Sequence, residues 1–329
     1  MKSKQYVLFV LVYVDDILVT GSDSKVLKSF IRDLDTHFAL KTLGSMNYFL
    51  EFEVHRDSTG IYLAQSKYII DLLKKDAMQD CKPCSTPVNL GVFLTDDGEL
   101  FFYPSLYRTI IGSLQYLTYT IPDIAFMVNK LSQFLSSPKQ QHWLACKRLL
   151  RYLKGTVGLG LLFTPSPDDL SLTVYTDVNH AGCKVTRKST SGLCVFLGKN
   201  LLIWSSRKQS MVARSIGEAK YRAIAQGFTK ILWLKSLFSE LGYPCSKVPI
   251  IWSDNMATMS IAENLVFHSR TKDIKIDVYF VHEKVENSEV EIRYVPTLYQ
   301  IVDIFTKDKL QLKTSSSMES DLRGNVEEK

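Results

Sequence analysis

Three β-rich runs lie close together in residues 172–209, LTVYTDVNHAGCKVTRKSTSGLCVFLGKNLLIWSSRKQ. Their aliphatic and aromatic residues favour strands, and glycine, polar or basic residues separate one run from the next. The predicted strands are 172–176, 192–197 and 201–205. A helical pattern of apolar residues then extends from about Met211 to Gly242. Three strands followed by a long helix predict an α/β domain with a mixed sheet.

Strand and helix patterns continue to alternate beyond this helix. The predicted elements are a strand at 248–253, a short helix at 256–263, a strand at 290–295 and a last helix at 298–307. The α/β domain is therefore predicted to cover residues 172–308. The Ser-rich, charged tail, 309–329, is predicted to be disordered.

The first half of the chain begins with a predicted β-hairpin. The runs 6–13 and 17–20 are rich in Val and Leu, and Asp15 and Asp16 lie at the turn between them. The first run is too short to span a bilayer and is followed by two acids, so a strand is favoured over a signal or membrane segment.

Composition changes mark the predicted domain boundaries. Residues 81–98 contain two prolines and two glycines and are predicted to be a linker, and two prolines with two acids at 164–169 mark the clearest domain boundary. The predicted division is 1–90, 91–163, a linker at 164–171, 172–308 and the tail at 309–329.

Net charge is concentrated in one of these segments. The whole chain of 329 residues has a net charge of +6. Residues 170–310 carry 19 basic and 13 acidic side chains, a net of +6, whereas residues 1–169 carry +1 and residues 311–329 carry −1. The excess permits a polyanionic partner for the α/β domain.

The six cysteines are spread along the chain, which argues against a disulfide-stabilised secreted domain. Cys81 and Cys84 have the spacing of a zinc-ligand pair, but no second close pair of Cys or His accompanies them. Two reduced loop thiols are favoured over a structural zinc site.

Four acids occupy unusual positions in the α/β domain. Asp177 and Asp254 end predicted strands, Glu218 lies in the first turns of the long helix, and Asp303 lies among apolar residues of the last helix. Singly, each is compatible with a helix cap or a solvated carboxylate. Acids in such places are costly unless they are paired or bound to a cation. Together at one end of a sheet, they form the oxygen ligand set that two Mg²⁺ ions need.

An ordered set of short motifs accompanies these acids. The motifs are YTDVNHAG (175–182), RKSTSG (187–192), WSSRKQ (204–209), EAKY (218–221), DN (254–255), RTK (270–272) and DIFTK (303–307). Their order resembles the ribonuclease H domain of copia-type retrotransposons.

The first half of the chain resembles the preceding part of the same polyproteins. Tyr13-Val-Asp-Asp16 is similar to the palm hairpin of their reverse transcriptase, and the resemblance covers about residues 6–308. It implies a palm remnant over 1–90, a helical thumb or connection over 91–163 and a ribonuclease H-like domain over 172–308. The further matching segments are NYFL (47–50), CKPCSTP (81–87) and YR through GSLQYL (107–117).

The resemblance implies a reaction and its partners. Asp177, Glu218, Asp254 and Asp303 map onto the family's metal-binding acids. The implied activity is hydrolysis of the RNA strand of an RNA·DNA hybrid with two Mg²⁺ ions, one activating water and the other stabilising the leaving 3′ oxygen. The expected partner is a hybrid or another nucleic acid; other retroelement Pol or Gag products are further candidates, and no membrane partner is expected.

Basic and amide side chains are predicted to contact the nucleic acid. Asn255 and Gln209 are predicted to recognise sugar or base edges, with the 2′-OH distinguishing RNA from DNA. For each basic residue a solvated surface position is the alternative. The predicted phosphate-binding residues are Lys184, Arg187, Lys188, Arg207, Lys208, Arg270 and Lys272.

The polymerase motif is expected to be incomplete. Asp15 and Asp16 have the chemistry of metal ligands, but a reverse transcriptase needs a third carboxylate on an earlier strand, and residues 1–12 contain no acid. No primer extension is expected from this chain alone.

The ribonuclease H half departs from the family at four positions. His180 replaces the usual Trp, Gly217 replaces Thr before Glu218, and Asp273 and Tyr279 stand where histidines would assist proton transfer. Two possibilities therefore stay open: a ribonuclease H-type endonuclease, or an inactive remnant that binds hybrids or has no activity.

Overall fold

The computed structural model of the chain describes residues 6–89, 94–166, 169–256, 275–307 and 324–325. The chain forms two compact units, residues 1–55 and 56–329. The second unit holds both the helical segment and the mixed sheet.

The first unit contains the predicted hairpin. Strands β1 (Leu8–Tyr13) and β2 (Asp16–Gly21) are antiparallel, and Tyr13 pairs with Asp16. Val14 and Asp15 therefore form a two-residue turn, with Val14 in the left-handed region at φ 50°. Helix α1 (Ser24–Phe38) and a short hairpin, β3 (Tyr48–Phe49) with β4 (Phe52–Arg56), follow.

The second unit begins with a helical core. Strand β5 (Ile61–Ala64) pairs antiparallel with β6 (Leu159–Phe163), and four α-helices lie between them among the described residues. Apolar side chains on the helices pack into one cluster, in which Ile111, Leu114 and Leu149 are fully buried. The helices are α2 (Ser66–Lys75), α3 (Pro104–Leu117), α4 (Ala125–Ser132) and α5 (Gln140–Gly155).

A five-stranded mixed sheet follows, which confirms the predicted α/β fold class. The strands are β7 (Leu172–Asn179), β8 (Thr190–Leu197), β9 (Asn200–Lys208), β10 (Ile250–Ser253) and β11 (Glu291–Tyr294). Their order is β11-β10-β7-β8-β9. The β7, β8 and β9 strands form an antiparallel meander, whereas β10 runs parallel to both β7 and β11. The carboxyl ends of β7 and β10 therefore meet at one edge of the sheet.

Helix α6 (Ile216–Leu241) covers one face of this sheet. Ser215 caps its start by accepting a hydrogen bond from the Glu218 N–H, and Gly242 ends it in the left-handed conformation at φ 88°. Gly227 allows close approach to β7, because an added Cβ would lie 3.1 Å from Val174 Cγ1. Helix α7 (Lys275–Glu286) packs on the same core, through the fully buried Val278 and Val281.

The predicted last helix, 298–307, is wrong in type. Two 3₁₀ turns, Thr297–Tyr299 and Ile301–Phe305, replace it, with an extended Gln300 between them. The Gln300 side chain donates to the Thr176 carbonyl and accepts from the Val302 N–H. Bonding to β7 therefore outweighs the helical pattern of this segment.

Other element bounds are also corrected. The β7 strand continues past residue 176 because its pairing with β8 extends to Asn179. The long helix begins at Ile216 rather than near Met211, since Ser215 is its cap. Strand β6 and helix α7 were not predicted from the sequence.

Some predicted features fall largely outside the described residues. The short helix at 256–263 does so apart from Met256. The tail at 309–329 also lies outside them, apart from Gly324–Asn325. These two residues form strand β12, which pairs with β6, whereas disorder is predicted from the sequence here. In the part of the chain that the structure describes, no helix is long and apolar enough to cross a membrane.

The start of α5 provides a pH-dependent test of the fold. The Nδ1 of His142 accepts from the Lys139 N–H at 3.0 Å, and its Nε2 lies 3.0 Å from the Thr95 carbonyl. Burial lowers the pKa of His142, so the unfolded chain binds this proton more tightly than the folded protein. Stability from the neutral ring is thus complete above about pH 6.5 and is lost as the pH falls.

The variant His142→Phe keeps a ring of similar size but cannot make either hydrogen bond, so it should lose about 1–3 kcal/mol of unfolding free energy at pH 7.5. Urea denaturation should show a smaller difference from wild type at pH 5.5. His55→Phe, at an exposed histidine, is the control and should change both values much less. An equal difference at both pH values would contradict the assignment.

Candidate functional site

Three of the predicted acids meet at the carboxyl ends of β7 and β10. Thr176 of β7 pairs with Ser253 of β10, so the next residues, Asp177 and Asp254, lie side by side. Asp303 approaches from the 3₁₀ turn 301–305, which packs against β8 opposite Asp177. Three separate elements therefore bring one carboxylate each to this edge.

Two ammonium groups lie among the three carboxylates. The Nζ of Lys220 donates to Asp254 Oδ1 and lies 3.6 Å from Asp177 Oδ1. The Nζ of Lys307 lies 2.6 Å from Asp303 Oδ1 and 3.8 Å from Asp177 Oδ2. Asp177 is thus the shared partner of both ammonium groups.

Burial and these charges set the protonation of the carboxylates. Burial raises the pKa of Asp177, but a hydrogen bond from Thr306 and the ammonium groups of Lys307 and Lys220 outweigh it and lower that pKa. Burial raises the pKa of Asp303 to about 6; the Asp177 carboxylate adds to the increase, and Lys307 opposes it. Asp177 therefore stays ionised, and Asp303 is the carboxyl group of the pair that is protonated more readily.

Glu218 has different partners. Its carboxylate accepts from the Arg214 N–H at 2.8 Å and from Arg222 Nη2 at 2.7 Å. Residues two positions apart on a helix lie about 200° apart, so α6 presents Lys220 rather than Glu218 to Asp177. The structure joins three of the four predicted acids through common partners and leaves Glu218 in its own ion pair.

The 3₁₀ segment that carries Asp303 is anchored by hydrogen bonds that the sequence analysis missed. Thr306 Oγ1 donates to Asp177 Oδ2 at 2.6 Å, and Asn179 Nδ2 donates to the Thr306 carbonyl at 3.0 Å. Ser206 of β9 donates to the Phe305 carbonyl at 2.7 Å. These contacts form because the segment adopts short 3₁₀ turns rather than the predicted helix.

Four of the predicted phosphate-binding residues lie in or near the loop that follows β7. The loop between β7 and β8 carries Lys184 and Arg187, which are exposed, and the half-buried Lys188. Arg207 is exposed near the end of β9, where it pairs with Ser191. Lys208 is engaged within the protein, because its Nζ lies 2.8 Å from Gln133 Oε1 and 3.0 Å from Cys183 Sγ.

The remaining predicted contacts are placed differently. Gln209 is buried, and its amide donates to Ser191 Oγ and the Ala219 carbonyl, so it is committed to the fold. Asn255 is half-buried and directly follows Asp254. Arg270 and Lys272 lie outside the described residues.

At two of the altered family positions, the side chain contacts the backbone or lies at the surface. The Nε2 of His180 lies 3.2 Å from the Ala213 carbonyl, and Tyr279 is half exposed on α7. His282, three residues later on α7, is buried with its Nδ1 3.4 Å from Glu286. Asp273 lies outside the described residues.

Among the described residues, no three carboxylate, imidazole or thiol side chains form a group that could hold a metal ion. In the first unit, Asp15 and Asp16 are exposed at the hairpin turn. Cys81 and Cys84 are free thiols, and the Cys84 thiol faces the Thr86 and Arg148 carbonyls at 3.5 Å.

Comparison with known proteins places the chain in a family. Residues 2–90 match the family model described as reverse transcriptase (RNA-dependent DNA polymerase). The chain is 41% identical over 302 residues to the retrovirus-related Pol polyprotein from transposon RE1 of Arabidopsis thaliana. The chain belongs to the copia-type retrotransposon Pol family. The match covers 92% of this chain and 20% of that relative, so the chain spans about a fifth of the polyprotein's length.

A shorter relative matches along most of its length. The uncharacterized mitochondrial protein AtMg00810 of Arabidopsis thaliana is 40% identical over 226 residues, which cover 69% of this chain and 94% of that protein. Among solved structures, LC11-RNase H1 in complex with an RNA/DNA hybrid covers 44% of this chain and 100% of its own, at 14% identity and a TM-score of 0.34. That TM-score is too low for the likeness to bear on function.

Gly192 provides a test of how the 3₁₀ segment is positioned. A Cβ at Gly192 would lie 2.6 Å from both Val302 Cγ1 and Thr306 Cγ2, closer than real contacts allow. The variant Gly192→Ala should lose about 1–3 kcal/mol of stability, because it must displace the segment that carries Asp303. Thermal denaturation measures this loss. Gly112→Ala, whose Cβ meets nothing within 4 Å in helix α3, should be neutral or stabilising; equal effects of both substitutions would contradict the packing.

Cys183 provides a test of the position of Lys208. Burial raises the pKa of the Cys183 thiol, but hydrogen bonds from Lys208 and Thr186 outweigh it and lower that pKa to about 7. Alkylation by iodoacetamide should therefore accelerate with a midpoint near pH 7, and Lys208→Met should move this midpoint upward. Peptide mass spectrometry resolves the sites. Cys245, whose pKa burial raises, is the internal control; an unchanged Cys183 midpoint in the variant would refute the contact.

Proposed function

We propose that residues 172–307 bind an RNA·DNA hybrid and hydrolyse its RNA strand with Mg²⁺. The observation that carries the proposal is the convergence of Asp177, Asp254 and Asp303 from three elements of the mixed sheet domain. Membership of a retrotransposon Pol family supports a nucleic-acid substrate.

The donor set agrees in chemistry with a hard divalent cation. Carboxylate oxygens are the ligands that Mg²⁺ prefers, so Asp177, Asp254 and Asp303 would hold the metal only in place of the ammonium groups that contact them in this structure. Glu218 is included on resemblance alone, because Arg222 engages its carboxylate. When bound, two Mg²⁺ ions supply activation of water and stabilisation of the leaving 3′ oxygen.

The protein's own groups hold these carboxylates in place. Thr306 fixes Asp177 by its hydrogen bond, and Gln300 ties the 3₁₀ segment to β7 through the Thr176 carbonyl. Lys307 holds the Asp303 carboxylate through a hydrogen bond of 2.6 Å.

Basic side chains beside this edge would bind the phosphates. Lys184, Arg187 and Lys188 lie in the loop that directly follows β7, and Arg207 lies near the end of β9. Asn255 adjoins Asp254 and is the group proposed to recognise the 2′-OH. Phosphate contacts of this kind make binding weaken as salt is raised.

A second candidate function is hybrid binding without cleavage. The observation that favours it is the pair of ammonium groups, Lys220 and Lys307, which offset two of the three carboxylate charges without a metal. Such a site would hold the duplex through its basic loop without needing a metal.

Cleavage of a labelled hybrid separates the two functions. RNA 5′-labelled with a fluorophore and annealed to DNA should be cut in Mg²⁺ and not in EDTA. Asp177→Asn should lower the cleavage rate by about a hundredfold or more, because it removes the negative charge of a carboxylate that would hold the metal. Hybrid binding, measured by anisotropy, should persist in the variant and weaken with salt.

Asp71→Asn is the matched control, since it makes the same change at an exposed position on α2. It should cleave and bind like wild type. RNA cleavage without metal, or RNA cleavage unaffected by Asp177→Asn, would contradict the hydrolase proposal. Salt-dependent binding with no cutting at all would leave the second candidate standing.

A further inference from the structure

Lys220 is placed differently from the other ammonium group at the site. Its side chain is only 11% exposed, between carboxylates that are 2% (Asp177) and 8% (Asp254) exposed. Lys307 is 34% exposed and lies at the outer side of Asp303. Lys307 therefore has access to solvent, whereas Lys220 is enclosed with its partners.

The position of Lys220 is set by the backbone of α6. The helix is capped at Ser215 and packed on β7 through Gly227, so its first turns have a fixed orientation toward the sheet edge. The Lys220 ammonium contacts one oxygen of Asp177 and one of Asp254. A cation bound by both oxygens would need the space that this ammonium fills.

The electrostatics make the two cations competitors. Two nearly buried carboxylates side by side repel each other strongly unless a positive charge lies between them. Lys220 provides that charge from within the chain. A divalent metal ion gains the same attraction only after the ammonium has left.

We propose that Lys220 is an internal counter-cation that occupies the cation position between Asp177 and Asp254 and limits the affinity of this site for divalent metal ions. The inference rests on the proposed function, because it concerns the same carboxylates. The charge of Lys220 reduces the repulsion between Asp177 and Asp254, so the two carboxylates can lie side by side without a metal.

Mn²⁺ titration of the full chain by calorimetry tests this role. Lys220→Gln should bind Mn²⁺ about tenfold or more tightly than wild type, as expected when a fixed positive charge leaves a partly buried carboxylate pair. The variant should also melt at a lower temperature than wild type without metal and regain stability as Mn²⁺ is added.

Two controls separate competition from general charge or packing effects. Lys230→Gln removes the same charge from an exposed position on the same helix and should leave Mn²⁺ affinity unchanged. Lys220→Arg keeps the charge and should bind Mn²⁺ no more tightly than wild type. A lower melting temperature of Lys220→Gln with no gain in Mn²⁺ affinity would show a purely structural role and overturn the proposal.

A second measurement uses the wild-type protein, so it does not depend on the variant folding. Reductive methylation followed by mass spectrometry should label Lys220 faster once Mn²⁺ is added, while Lys230 labelling stays constant. Unchanged Lys220 labelling, or no Mn²⁺ binding by wild type and variant alike, would overturn the proposal. Failure of RNA cleavage alongside tighter Mn²⁺ binding by Lys220→Gln would instead count against the proposed function only.

Discussion

Asp177 lies at the centre of a charge arrangement on which the candidate site depends. Its side chain is almost fully buried, with a second carboxylate on the neighbouring parallel strand and a third on the 3₁₀ segment. Like charges stay close in such a position only when cations and hydrogen bonds balance them. Lys220, Lys307 and Thr306 supply that balance, so the same contacts that join the three elements also determine what cation can enter.

Much of the fold was predictable from local sequence patterns. The hairpin at Asp15 and the three strands after residue 172 follow from β-rich runs bounded by polar residues, and pairing confirms them. The convergence of Asp177 and Asp254 follows from strand order, since both directly follow paired residues of parallel strands. The last segment was not predictable in this way, because Gln300 bonds to β7 and interrupts a helical pattern.

The partners of the site residues were harder to predict. The four acids share a side-chain chemistry, but whether Glu218 or Lys220 faces Asp177 depends on the rotation of α6 about its axis. Sequence spacing shows that the two point apart and does not show which points inward. Similarly, Gln209 and Lys208 look like surface contacts in a basic run, yet the sheet turns their polar groups toward Ser191 and Cys183. Tertiary packing determines which of these side chains point into the fold.

Lys220 fills the place of a cation between two carboxylates in the arrangement that we propose. Crystals of the protein grown without divalent metal and then soaked in Mn²⁺ test this directly through the anomalous difference map. We expect Lys220 to bridge Asp177 and Asp254 before soaking and a manganese peak to replace its ammonium afterwards. A manganese ion bound by these carboxylates with Lys220 still bridging them, or a Lys220 side chain directed into solvent in the metal-free crystals, would contradict it.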